Sequence, residues 1–314
     1  MALLRAGETC WRTAPGGRVK FLVDGQAYFA AIAAAIAGAR RSIHLLGWSF
    51  DPRAVLAPEL DPASGVGHAL VEATRANPAL DARLLVWRSA LPISATQEFF
   101  PHRARAWFRG TQVRFELDDS VPLGACHHQK VVVVDDALAF VGSADFASDR
   151  WDTTAHLDQD PRRRHGGSTF RPRHEVMAMA DGPIAHAFGE LFRARWRAAL
   201  GEETPVAAPP AAGDTAELWP TGFDADLEGA ALGLARTAPA WRGEPAVREI
   251  AGLTLEAIAS ARSLIYLENQ YFTWPLGVEA LAARLAEPDG PEVVLVCTGK
   301  SPSYFDRITM DRAR

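Results

Sequence analysis

A stretch of fifteen residues recurs in this chain in diverged form. The stretch Ile36 to Phe50, IAGARRSIHLLGWSF, returns without gaps as Ile258 to Phe272, IASARSLIYLENQYF, at an offset of 222 residues. Seven of the fifteen positions are identical, among them Arg40/Arg262, Ile43/Ile265, Leu45/Leu267 and Phe50/Phe272. Each copy leaves an apolar stretch of helical character and enters a run of aliphatic residues suited to a strand. The run Glu292 to Cys297, EVVLVC, then answers Arg83 to Trp87, RLLVW, of the first copy. A duplicated domain is the economical explanation, and it requires a fold with two similar halves.

The remaining elements of the first copy follow from local pattern. Residues 26–39 predict an alanine-rich helix, and 43–48 a strand in which His44 alternates with apolar neighbours as a core or rim histidine. Helices are expected over Val66–Ala76 and Ala95–Arg109, and strands over Arg83–Trp87 and Val113–Leu117. Residues 152–173, rich in Asp, Arg, His, Pro and Gly, predict a long loop of the kind that carries function. A strand at Glu175–Ala180 leads to Gly182-Pro183, which opens a helix with Phe188, Leu191, Phe192 and Trp196 on one stripe. Strands alternating with helices argue for an α/β sandwich around a central mixed sheet. Residues 201–216, GEETPVAAPPAAGDTA, read as a proline-alanine linker. The expected organisation is a first half at 1–200, the linker at 201–216 and an incomplete second half at 217–314.

One stretch of the first half carries chemistry. From His127 to Asp152 the chain reads HHQKVVVVDDALAFVGSADFASDRWD, with His128-x-Lys130, four valines, Asp135, six further residues and Gly142-Ser143. Five residue types at fixed offsets arise by chance in roughly one chain in ten thousand of this length. Four valines between polar residues predict a buried strand. Side chains alternate along a strand, so His128 and Lys130 project side by side. A neutral imidazole beside a fixed ammonium suits a phosphate ester: the lysine holds the non-bridging oxygens while the histidine attacks phosphorus or moves a proton. Gly142 and Ser143 end the returning strand, where a bare backbone and a hydroxyl can approach the same anion.

The motif H-x-K-x4-D-x6-G-S resembles that of the phospholipase D superfamily. The extension through HHQK, Asp145 and Arg150-Trp151-Asp152-Thr153 is more similar to the phospholipases D proper than to the nucleases of that superfamily. The resemblance covers nearly the whole chain, since Glu268 to Phe272, ENQYF, matches the opening of the family's second half. It implies a phospholipase D-like α/β/α sandwich, duplicated about a pseudo-two-fold axis, in which two such motifs face each other. It implies His128 as nucleophile giving a phosphohistidine, Lys130 as phosphate clamp, and Ser143 beside Gly142 as a supporting donor. Asp135, grouped with the catalytic motif, is expected to orient backbone rather than touch substrate. Glu175 matches the carboxylate that orients the opposite half's histidine, and reads equally as an ordinary glutamate at a strand start. Asn269 and Gln270 would line the cleft, or simply bond at a strand end. The family often has Asn where Asp145 stands, so a direct phosphate contact by Asp145 is doubtful. No metal or other cofactor is implied.

Charge and cysteine usage narrow the setting. The net charge of −5 offers no overall basic field, which argues against nucleic acid as partner. The run Arg162-Arg163-Arg164 is expected to be a solvated loop cluster, with an alternative role in drawing in anionic headgroups. The three cysteines, Cys10, Cys126 and Cys297, are odd in number and scattered, as for free thiols in a reducing compartment, and no pair has zinc-ligand spacing. No window approaches eighteen uninterrupted apolar residues, and no leader segment is evident. The expectation is a cytoplasmic protein peripheral to the membrane, with a phospholipid substrate at the membrane surface.

The duplication also sets a condition. No histidine follows His186, so the second copy has no His-x-Lys within these 314 residues. The expected activity is a phospholipase D-type phosphodiesterase or phosphatidyl transferase, weak as a single-motif chain and completed by a second motif-bearing half. Cardiolipin or phosphatidylserine synthase-type transfer, and a non-catalytic truncated phospholipid-binding fragment, are the alternatives.

Overall fold

The computed structural model describes residues 3–15, 17–60, 65–89, 93, 101–165, 167–206, 218–299 and 307. In chain order the first elements are β1 (Arg12–Ala14), β2 (Arg18–Val23), α1 (Asp24–Gly38), β3 (Ser42–Gly47), α2 (Val66–Ala76) and β4 (Asp81–Trp87). Next come α3 (Pro101–Trp107), β5 (Arg114–Asp118), β6 (Val131–Val134) and β7 (Leu138–Gly142). A two-residue ladder, β8 (Arg164–His165) with β9 (Ser168–Thr169), interrupts the expected loop before β10 (Val176–Asp181) and α4 (Pro183–Leu200). Then follow β11 (Leu227–Glu228), β12 (Leu232–Leu234), β13 (Thr237–Ala238) and β14 (Val247–Arg248). The last elements are α5 (Glu249–Ser260), β15 (Leu264–Asn269), α6 (Pro275–Leu285) and β16 (Glu292–Cys297). Of the helix expected over 95–109, residues 95–100 lie outside the described residues.

Two compact units result: a large one, Ala14–Leu232, and a small one made of Met1–Thr13 with Gly233–Arg314. The large unit is built on an eight-stranded sheet in the order β11-β2-β10-β7-β6-β3-β4-β5. β3, β4 and β5 run parallel, and the ladders of β6 with β3, β7 with β6, β10 with β7 and β2 with β10 are antiparallel. This is the mixed central sheet of an α/β fold. Alternation along β3 shows why both faces are covered. Ile43 and Leu45 join the core formed with Phe29, Ile32 and Leu70 of α1 and α2. His44 points the other way, fully buried, and stacks on Phe192 of α4 with ring centroids 4.4 Å apart. All four valines of β6 are buried, as a strand flanked on both faces demands.

Residues 207–216 of the expected linker lie outside the described residues. Just beyond them, Leu218 belongs to the large unit's core, Trp219 and Phe223 pack against it, and β11 extends the sheet by pairing with β2. Sequence reading placed 217–314 together; residues 218–232 pack with the large unit, because their apolar side chains and strand hydrogen bonds are used there.

The small unit repeats the opening of the large one. β15 occupies Leu264–Asn269, the offset of 222 applied to Ser42–Gly47 of β3. Both preceding helices leave through an extended residue, Ala39 (φ −63°, ψ 133°) and Ala261 (φ −63°, ψ 138°). β15 then pairs in parallel with β16, as β3 does with β4.

Candidate active site

The ladder directions bring seven strand termini to one end of the large sheet. β3, β4, β5, β7 and β2 finish there, and β6 and β10 start there. Ligand sites of α/β proteins favour such an end, where strand termini supply side chains without disturbing the sheet. His128 and Lys130 lie just before β6, Gly142 and Ser143 at the end of β7, and Glu175 just before β10.

Lys130 is the hub. It is buried, its Nζ 3.4 Å from His128 Nδ1 and donating to the His128 carbonyl at 3.2 Å. The same Nζ forms an ion pair with Asp145 Oδ2 at 3.1 Å, and Asp145 is buried as well. Asp145 Oδ1 accepts the backbone N–H groups of Trp48 and Ser49 at 3.0 and 3.2 Å. The indole of Trp48 lies 6.0 Å from the His128 ring and 5.9 Å from Lys130 Nζ, and so walls the cluster. Burial holds Lys130 below the ordinary lysine value, with Asp145 pulling it back up. His128 is exposed at the sheet end; partial desolvation of its ring and then the Lys130 ammonium push it below the ordinary imidazole value, with Asp145 opposing and Arg150 adding. A neutral ring at neutral pH follows.

Glu175 sits in the same field. Its Oε1 accepts from Arg150 at 3.3 Å and lies 3.6 Å from Arg173. Burial drives its carboxyl up to about 7, Arg150 resisting and Asp149 adding to the rise. Arg150 remains a cation: burial pulls it down, but Asp149, Glu175 and Asp145 outweigh that pull.

Ser143 and Gly142 reach the same sheet end. Gly142 faces Met177 across the β7–β10 ladder, and a Cβ there would meet Met177 Cγ at 2.5 Å and Cα at 2.7 Å. The Ser143 hydroxyl lies 3.5 Å from the Val176 carbonyl. Asp135 does not join the cluster. It starts the β6–β7 turn at φ +56°, at the opposite end of β6 from Lys130. Its carboxylate accepts the N–H groups of Arg40, Arg41 and Ser42 at 2.9, 2.7 and 2.8 Å. It ties the exit of α1 to the start of β3, in keeping with a backbone-orienting role. Asn269 and Gln270 belong to the small unit, where Asn269 ends β15 and Gln270 donates to the Tyr271 hydroxyl at 3.0 Å; both are exposed.

Sequence reasoning missed three members of the site. Asp145 as the counterion of Lys130 had one signal, a carboxylate where the resembling family often has an amide. Trp48 had another, its position one residue past the repeated strand. Arg150 had only its place inside the extended motif. The arginine run also differs from expectation: Arg163 is buried and paired with Asp152 at 3.3 Å, and Arg162 pairs with Asp160 at 2.6 Å. Only Arg163 is withdrawn from solvent; Arg162 stays part-exposed and Arg164 exposed, as a loop cluster would be.

Fold and cluster together define an α/β protein with a histidine–lysine pair at the open end of a mixed sheet. The family model described as phospholipase D matches residues 35–217, and the chain belongs to that family. Phospholipase D alpha 1 of Nicotiana tabacum is 26% identical over 306 residues, covering 76% of this chain and 38% of that protein. Phospholipase D A of Dictyostelium discoideum is 26% identical over 289 residues, covering 81% of this chain and 21% of that protein. The chain thus spans about two fifths or less of the length of these relatives. Among solved structures, phosphatidylserine synthase of Haemophilus influenzae Rd KW20 superposes with a TM-score of 0.55 at 12% identity, over 90% of this chain and 63% of that one. No described helix is long and apolar enough to cross a membrane.

Proposed function

We propose that this chain is the His128-bearing half of a phospholipase D-type phosphodiesterase and phosphatidyl transferase that acts on glycerophospholipids. The carrying observation is the placing of His128 at the open sheet end, its Nδ1 3.4 Å from the buried Lys130 ammonium, whose charge helps to push the imidazole below its ordinary value. A neutral ring has the lone pair that attack on phosphorus needs. Lys130 holds the non-bridging oxygens and stabilises the charge that spreads over them, with the Ser143 hydroxyl beside the bare Gly142 backbone as a further donor. The P–N bond forms as the P–O bond to the headgroup breaks. The departing alkoxide takes a proton from a general acid, and water or an acceptor alcohol then releases the phosphatidyl group.

The acid and the second clamp come from a second motif-bearing half. His128 Nδ1 faces the Lys130 ammonium at 3.4 Å, which disfavours the Nδ1–H tautomer that leaves Nε2 free to attack. A carboxylate of the opposite half, standing to His128 as Glu175 stands to the opposite histidine, would accept that Nδ1–H and turn the ring to its working tautomer. General acid–base help is worth about 10²–10⁴ in rate, so the 314-residue chain by itself is a weak catalyst.

The test is phosphatidylcholine turnover in mixed micelles, with water and glycerol as acceptors, by this chain alone and with a second His-x-Lys half supplied. Activity that rises by the acid–base factor supports the reading, and equal activity removes the half-site argument. Radiolabelled phospholipid should give a covalent phosphoenzyme that His128→Ala abolishes. Label persisting in that variant takes His128 out of the nucleophile role.

A further inference from the structure

Three side chains outside the His128 cluster converge behind Glu175. Asp24 opens α1 and is fully buried; His156 and His174 are partly exposed. One ligating atom from each lies within 4.8 Å of the others, the one such group of three among the described residues. His174 Nδ1 is 2.8 Å from Asp24 Oδ1, and His156 Nε2 is 3.3 Å from Asp24 Oδ2. The rings of His156 and His174 stand perpendicular with centroids 5.5 Å apart.

Two observations separate this group from an ordinary hydrogen-bonded cluster. The first is that Asp24 Oδ2 is buried and accepts no hydrogen bond. A buried carboxylate oxygen that accepts no hydrogen bond, and whose close neighbour is a ring nitrogen at 3.3 Å, is the atom that a cation would satisfy. The second concerns His156. Its Nδ1 lies 3.1 Å from Asp152 Oδ2, and that carboxylate is held by the N–H groups of Thr153 and Arg173, each at 2.8 Å, and by Arg163 at 3.3 Å. A carboxylate anchored in this way takes the Nδ1–H and turns the Nε2 lone pair towards Asp24 Oδ2. In that tautomer two acceptors face each other across 3.3 Å, a spacing that a bound metal ion, or a second ring proton, satisfies. Metal-binding histidines are oriented by the same device, a carboxylate on the far ring nitrogen.

We propose that Asp24, His156 and His174 bind a divalent transition metal of the zinc class. Two imidazole nitrogens and one carboxylate oxygen suit zinc, and tetrahedral bonds of about 2.0–2.1 Å place neighbouring ligand atoms roughly 3.3 Å apart. The half-exposed sides of the two histidines leave room for a water as fourth ligand. Calcium and magnesium prefer all-oxygen sites and are poor fits.

The site has structural work to do. Asp24 donates its N–H to the Glu175 carbonyl at 2.8 Å and accepts the Glu175 N–H on Oδ1 at 3.1 Å. A metal on Asp24 would therefore clamp three segments, the start of α1, the loop at His156 and the approach to β10, around the Glu175 peptide. The metal is a brace in this reading and takes no part in bond making at His128, so the proposal stands apart from the activity proposed above.

The test uses the full chain, stripped with EDTA and titrated with zinc chloride by calorimetry, with metal content read by plasma mass spectrometry. One equivalent per chain is expected, together with a melting temperature several degrees higher when zinc is in excess. Asp24→Asn and His156→Gln should each lose the equivalent, while His128→Ala keeps it. If Asp24→Asn fails to fold by circular dichroism, His174→Gln serves instead, since that ring is partly exposed. Cobalt loading should give visible d–d bands without thiolate charge transfer, which excludes the three cysteines as ligands. No stoichiometric zinc in the unmodified chain, full binding in the substituted chains, thiolate bands, or preference for calcium would each overturn the proposal.

Discussion

Replacing Asp145 by asparagine sets the stability of the large unit against its affinity for phosphate. Asp145 and Lys130 are both buried and paired at 3.1 Å. At an effective dielectric of about 20, their attraction is roughly 5 kcal/mol before desolvation is charged against it. Removing one partner of such a pair leaves an uncompensated buried charge and typically costs about 3–5 kcal/mol. Asparagine keeps an oxygen for the Trp48 and Ser49 N–H groups, so the expected loss for Asp145→Asn is nearer 2–4 kcal/mol. For a unit of this size that is a fall in melting temperature of about 5–15 °C.

The same change should tighten phosphate binding. In the unmodified chain an incoming anion meets an ammonium already neutralised by Asp145. Without that carboxylate the lysine is unpaired, and the repulsion removed, about 1.4–3 kcal/mol per charge at roughly 5 Å in partly screened surroundings, converts to a ten- to hundredfold gain. Thermal melts followed by circular dichroism, with and without inorganic phosphate, read both quantities. Expected is a lower melting temperature in buffer and a larger rise on adding phosphate. Unchanged stability with unchanged phosphate affinity would refute the pairing. Weaker phosphate binding would show that Asp145 positions Lys130 rather than competes for it.

Glu175 and Gly142 give two further outcomes. The Glu175 carboxyl is raised from 4.5 to about 7, so between these pH values the folded chain keeps a proton that the unfolded chain has lost. Stability therefore falls as pH rises from 4.5 to 7, by about 3 kcal/mol, and is flat with respect to this group outside that window. Urea melts at the two ends should show that fall reduced by a similar amount in Glu175→Gln; parallel profiles would refute the raised value. Gly142→Ala should cost about 1–3 kcal/mol in the same melts, because the new methyl meets the Met177 backbone as well as its side chain. Adding Met177→Ala should recover little, since Met177 Cα itself stands 2.7 Å from the added carbon. Full recovery in the double variant would mean that only the flexible side chain is in the way.

What was legible in the sequence was periodic or repeated. The four valines of β6, the helix at Val66–Ala76 and the helix opened by Pro183 stand where local pattern puts them. The internal repeat lands β15 on the residues that its offset assigns. The features not legible join residues far apart in the chain. Asp24 and His174 are 150 positions apart, and neither has a local pattern that names the other. Arg163 reads as a solvated loop residue because its buried partner, Asp152, lies eleven residues back across an aperiodic segment. Asp135 shows that a motif position can serve the backbone instead of the site, as its place at the end of the valine strand led one to expect. It sits inside the histidine–lysine pattern, yet sheet direction carries it to the far end of β6, where its three backbone hydrogen bonds are architectural.

The charges around Lys130 bear on the proposal that a second half completes the site. Lys130, Arg150 and Arg173 supply three cations, and Asp145, Asp149 and Glu175 supply three carboxyls in contact with them, one of which titrates near neutrality. With Glu175 ionised this cluster is electrostatically balanced, and a phosphodiester approaching it meets little net attraction. Catalysis at phosphorus needs surplus positive charge where the oxygens gather charge in the transition state. Within this cluster protonating Glu175 would supply a surplus, and that would couple phosphate binding to proton uptake near pH 7. A second lysine brought by an opposing half supplies it without that coupling, which is the electrostatic case for completing the site with a second motif.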